Sequence, residues 1–162
     1  MFLINEILDM AIQFEKNGEK IYREAADKVS DPMLSALLAW MADEESHHAT
    51  YFSRLKQKHP DSGNHSFSRE LSREMLDEIL GDRGFSLEDV DFSNIADQND
   101  MIRTFIEFEK DTILFYEMLT PFIEDPAAKR MLETIINEEN RHVERLTVFL
   151  GSETAHPAFS DC

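Results

Sequence analysis

Two stretches of the chain, Glu45-Ser46-His47-His48 and Glu139-Asn140-Arg141-His142, each place a carboxylate three residues before an imidazole. On a helix that spacing stacks both side chains on one face, one turn apart. There an oxygen and a nitrogen can grip the same divalent cation. A single Glu-x-x-His pair is common and usually solvated. Here the pair occurs twice, 94 residues apart, and two more glutamates, Glu15 and Glu109, share that offset.

The elements that must position these residues are long and periodic. Ile4, Leu8, Ala11, Glu15, Gly18, Tyr22, Ala25 and Val29 recur in steps of three and four, which predicts a helix over about 3–29. Ser30-Asp31-Pro32 then supplies a cap and a proline for a new helix. That second helix reaches about Lys58 on the stripe Leu34, Leu38, Met41, Glu45, His48, Phe52, Leu55. A third, about 100–123, carries Ile102, Phe105, Glu109, Thr112, Tyr116, Leu119 and Ile123. After Glu124-Asp125-Pro126, a fourth carries Ala128, Leu132, Ile135, Glu139, His142, Leu146 and Phe149 to about Leu150, with Gly151 as its expected stop.

Aligned at the 94-residue offset, residues 5–56 and 99–150 share 12 identities in 52 positions. They include Glu15/Glu109, Tyr22/Tyr116, Asp31-Pro32/Asp125-Pro126, Glu44-Glu45/Glu138-Glu139 and His48/His142. The sequence therefore reads as one helical hairpin duplicated. Hairpins at 3–58 and 99–150, joined by a crossover at 59–98, predict an all-α four-helix bundle over 1–151 with a tail at 152–162. Within the crossover, SRELSREMLDEILG reads as a short amphipathic helix.

In each helix the glutamates and histidines occupy the stripe that otherwise carries leucine and phenylalanine, near the middle. Four ionised carboxylates in such a core would cost many kcal/mol in desolvation and repulsion. Two divalent cations cancel four carboxylates while leaving the histidines neutral as ligands. Ligand type suits iron or manganese, and zinc would also bind. The expected metal ligands are Glu15, Glu45, His48, Glu109, Glu139 and His142. His47 points about 100° away from His48, and His59, His65 and His156 fall in loops or the tail. Glu19 and Glu107 read as solvated. Glu44 and Glu138 fall off the stripe and are candidates for supporting the histidines from outside. Trp40 reads as a packing or interface residue.

Composition narrows the class. The formal charge of −17 argues against nucleic acid and anionic membrane surfaces, which select basic patches. With 42% hydrophobic and 30% charged residues, the 162-residue chain is expected to be a soluble single domain. No apolar run could span a bilayer, and the start lacks a basic signal region, so a cytoplasmic location is expected. The one cysteine, Cys162, leaves no Cys-x-x-Cys motif, so the metal must be held by histidine and carboxylate.

The segments QFEKNGEKIY and EFEKDTILFY, with the two Glu-x-x-His motifs, resemble the rubrerythrin-like branch of the ferritin-like superfamily. The resemblance covers all four helices but not the crossover or tail. It implies a non-haem di-iron site with the six residues above as ligands, Glu45 and Glu139 bridging and Glu15 and Glu109 terminal. It also implies an oxidoreductase or iron-handling role and a homodimer; the expected activity is peroxidase-type reduction of peroxide or dioxygen. Tyr22 and Tyr116 match tyrosines kept near the cluster, as catalytic redox groups or as packing residues bonded to a carboxylate. The sequence departs from rubrerythrins proper twice. It has no rubredoxin-type cysteine pairs, which implies a separate electron donor such as a rubredoxin. It also has Thr112 where they carry an extra glutamate. The alternatives are an iron-binding, ferroxidase or storage protein, and a metal-stabilised structural module.

Overall fold

The computed structural model describes residues 4–58, 98–123 and 125–152, all of it helix and short connections. The helices are α1 (Ile4–Lys28), α2 (Pro32–Lys58), α3 (Gln98–Leu119) and α4 (Pro126–Ser152). α1 packs along α2, and α3 along α4. The expected short helix of the crossover lies outside the described residues.

Both hairpin turns are built as the Asp-Pro dipeptides predict. Asp31 Oδ1 accepts from the backbone N–H groups of Met33 (2.8 Å) and Leu34 (3.3 Å). Asp125 Oδ1 accepts from Ala127 N–H at 2.9 Å. Each aspartate thus satisfies orphan donors of the first turn, and the following proline has no N–H to satisfy.

Two boundaries differ from expectation. α3 stops at Leu119 rather than near Ile123 and tightens into a 3-10 turn at Thr120–Phe122. Pro121 explains the change, because its ring and missing N–H disrupt the α-helical ladder. Ile123 N–H then closes on Thr120 O at 3.3 Å. At the other end, Gly151 does not stop α4, which runs through it to Ser152.

The predicted stripes are the core. Every described stripe side chain from Leu8 to Ala25, Leu34 to Leu55, Ile102 to Ile123 and Ala128 to Leu146 is buried; Val29 and Phe149, at stripe ends, are half-buried. The apolar ones divide into two clusters. One joins Leu8, Ala11 and Phe14 to Phe52, Leu55, Phe115, Tyr116, Leu119, Leu132 and Ile135. The other joins Ile21, Tyr22 and Ala25 to Leu34, Leu38, Met41, Ile102, Phe105 and Leu146. The start of α1 therefore lies with the ends of α2 and α3 and the start of α4. α2 and α3 run parallel, so the end of α2 and the start of α3 lie at opposite ends of a bundle about 40 Å long. Between the two apolar clusters lies a belt of buried acids and imidazoles.

Candidate metal centre

Each polar residue of the belt enters from the middle of its own helix: Glu15 from α1, Glu45 and His48 from α2, Glu109 from α3, Glu139 and His142 from α4. All six are buried, with Glu109, Glu139 and His142 at 0% exposure. They form two overlapping groups, Glu15–Glu45–His48–Glu139 and Glu45–Glu109–Glu139–His142, whose ligand atoms lie within 4.8 Å of one another in each group. Glu45 and Glu139 belong to both.

The atoms approach without pairing. His48 Nδ1 is 2.9 Å from Glu139 Oε1 and 3.4 Å from Glu15 Oε2. His142 Nδ1 is 2.9 Å from Glu139 Oε2, 3.3 Å from Glu45 Oε1 and 3.6 Å from Glu109 Oε1. Yet among the described residues both Nδ1 atoms, both Glu139 oxygens, Glu15 Oε2, Glu45 Oε1 and Glu109 Oε2 have no well-formed hydrogen bond. Buried polar atoms almost always find one. Carboxylate oxygens and imidazole nitrogens that converge this closely suit cations at two shared points.

The electrostatics agree. Burial, then the charges of Glu139, Glu15 and Glu109, push Glu45 well above the carboxylate range. Burial and Glu139 also lift Glu109, to about 7 even with His142 beside it. Burial alone would lower the imidazoles, but Glu139 and Glu15 hold His48 up to about 12, and Glu109 and Glu139 hold His142 up to about 10. Burial would raise Glu139 as well, yet His142 and His48 draw it below the usual carboxylate range. Without metal, protons held by the histidines and Glu45 do the neutralising that cations would do.

Tyr22 Oη donates to Glu109 Oε1, and Tyr116 Oη donates to Glu15 Oε1. Each phenol thus bonds to the outer carboxylate of the opposite hairpin. Burial first, then the carboxylate it contacts, pushes each phenol well above its ordinary range, so both stay protonated donors. A hydrogen bond to the carboxylate is therefore what these tyrosines make.

The rubrerythrin family model matches residues 6–150. The chain belongs to the rubrerythrin family. This rubrerythrin-family protein is also similar to a solved structure from Thermotoga maritima described as a ferritin-like diiron-carboxylate protein, with TM-score 0.66 and 20% identity over 93% of this chain and 95% of that one. That likeness supports the ferritin-like fold. No curated protein matched.

Several residues near the belt carry more than the sequence reading gave them. His48 Nε2 lies 2.8 Å from Glu138 Oε2, and a Glu44 oxygen joins them within the same 4.8 Å limit. The Trp40 and His142 rings stand perpendicular, centroids 5.2 Å apart, with the Arg145 guanidinium 4.2 Å from the indole centroid. Gly18 packs on Glu45, where a Cβ would come within 3.3 Å of Glu45 Cγ and Phe108 Cε1. Only the repeated Glu-Glu dipeptides hinted at Glu138; nothing in a single-helix pattern pointed to the other contacts.

The remaining sequence candidates stay outside. His47 is exposed, 3.9 Å from Glu44. Glu19 pairs with Arg23 and Glu107 with Lys110. Thr112 is buried, but its hydroxyl donates to Phe108 O of its own helix at 3.0 Å, so it does not stand in for a further carboxylate ligand. His59, His65 and His156 lie outside the described residues. Among the described residues, no helix is long and apolar enough to cross a membrane.

Proposed function

We propose that the belt holds two iron ions and that the protein reduces peroxide or dioxygen with electrons from a separate donor protein. The observation that carries this reading is the pair of overlapping ligand groups sharing Glu45 and Glu139. Glu45 and Glu139 would be shared by the two ions, Glu15 and Glu109 would each hold one, and His48 and His142 would each offer Nδ1 to a different ion. Iron, when bound, supplies the two electrons that convert peroxide and two protons into two waters, and the positive charge that stabilises the oxygens.

The protein's own groups set the conditions. Tyr22 and Tyr116 hold Glu109 and Glu15 in orientation through neutral phenols, each bonded to one oxygen of its carboxylate. Leu38, Met41 and Phe105 on one side, with Phe52, Phe115 and Ile135 on the other, exclude bulk water above and below the belt. In that dry setting electrostatic interactions are stronger than in water. A homodimer and a rubredoxin-type donor fit this reading.

Anaerobic stopped-flow mixing of the ferrous protein with peroxide tests it. The expected result is rapid oxidation of two ferrous ions per peroxide. Slow oxidation, or iron oxidised continuously beyond two ions per chain with dioxygen, would favour the iron-storage alternative instead.

A further inference from the structure

We propose that the two cation positions differ in affinity, and that Glu138 makes the position served by His48 the tighter one. The proposal rests on the two-ion reading and concerns residues that reading leaves without a role.

The two positions have alike inner ligands: one terminal glutamate, two shared glutamates and one imidazole each. Their surroundings are not alike. With Nε2 of His48 carrying the ring proton, it donates to Glu138 Oε2 at 2.8 Å, across from α2 to α4. Such a carboxylate fixes the ring and its tautomer, turns the Nδ1 lone pair inward and makes it a stronger donor. Glu44 adds a second carboxylate to the same side. Both glutamates therefore lie on the His48 side, although Glu44 and Glu138 hold equivalent places in the two halves of the sequence.

His142 lacks that support. Its ring is fully buried, and its Nε2 has no hydrogen-bond partner among the described residues. Among the described residues it meets the Trp40 ring at a right angle, and that indole carries the Arg145 guanidinium at 4.2 Å. One position thus has two additional negative charges nearby, while the other has an aromatic ring and a positive charge. Coulomb attraction for a divalent cation and imidazole basicity both favour the His48 position.

The test is anaerobic addition of cobalt(II) to the metal-free full-length protein, followed by ligand-field absorption and calorimetry. Wild type should bind two ions in two resolved steps, the first at least about tenfold tighter. Glu138→Ala should weaken the His48 position by about 10–100-fold and leave the His142 position unchanged, so that the gap between the two steps closes or reverses. Glu138→Gln, which keeps an acceptor oxygen without its charge, should fall between. Arg145→Met, at an exposed side chain, should tighten the second step alone. Two equal steps in wild type would overturn the proposal, as would Glu138→Ala acting on the His142 position or on neither. Failure to bind two ions at all would sink the two-ion reading as well, so the two failures are distinguishable.

Discussion

Tyr22 on α1 donates a hydrogen bond to Glu109 on α3, and Tyr116 on α3 returns the contact to Glu15 on α1. The reciprocity ties the two hairpins together at the level of the belt and fixes both outer carboxylates. Replacing either tyrosine by phenylalanine removes the donor and leaves a buried carboxylate oxygen without it. Each change should cost about 1–3 kcal/mol of stability. Chemical denaturation of metal-free and metal-loaded protein measures this. A loss seen only in the peroxide reaction, with stability unchanged, would mean that the phenols act as redox groups rather than as supports.

The shared and terminal glutamates should behave differently. Glu139 lies between two imidazoles that are cationic in the metal-free state, so Glu139→Gln leaves buried positive charge unbalanced, a loss of about 3–5 kcal/mol. It should also abolish binding of both ions. Glu109 sits at about 7 and is partly protonated already, so Glu109→Gln should be milder and cost one ion of the two. Metal-to-protein ratios after desalting, with urea denaturation, separate these outcomes.

Stability of the metal-free protein should fall as pH rises above about 6.5. The folded state raises His48 to about 12 and His142 to about 10, so it keeps protons that the unfolded chain releases near 6.5. Their contribution is complete below that pH and is lost progressively up to those folded values, by at most about 1.4 kcal/mol per pH unit for each retained proton. Metal binding displaces these protons, so affinity should increase with pH and the loaded protein should not show the alkaline decline. Melting temperatures from pH 6 to 9, with and without metal, check the sign.

Gly18→Ala separates folding from metal binding. Alanine favours a helix by up to about 1 kcal/mol over glycine. The new methyl, however, would press on Glu45 and Phe108 at 3.3 Å. In the metal-free protein Glu45 can shift by a few tenths of an ångström, so stability should change little. With metal, Glu45 is held at a shared position, and affinity should drop about tenfold, or 1.4 kcal/mol. Isothermal titration calorimetry reads the difference.

The bundle and the six belt residues were legible because buried glutamate and histidine at leucine positions break the usual rule so strongly. Their heptad phase alone brought them together. What was not legible depends on how helices meet. The stripes were read too narrow: Phe14, Ile21, Met101, Ile106, Phe108 and Phe115 are buried beside them, since a bundle helix faces two neighbours. Glu138 reaching His48, and Trp40 meeting His142, depend on the rotation of one hairpin against the other. Gly18 was placed on the stripe, but only the position of Glu45 shows why a side chain there is unwelcome. Pro121 ended α3 early by a local effect that the apolar period does not carry.

Anomalous diffraction at the iron edge, from crystals loaded anaerobically, tests the central claim most directly. The account predicts two peaks about 3.5–4 Å apart, both between Glu45 and Glu139, with one beside His48 Nδ1 and the other beside His142 Nδ1. A single peak, or iron bound only at surface carboxylates while the belt keeps its protons, would contradict it.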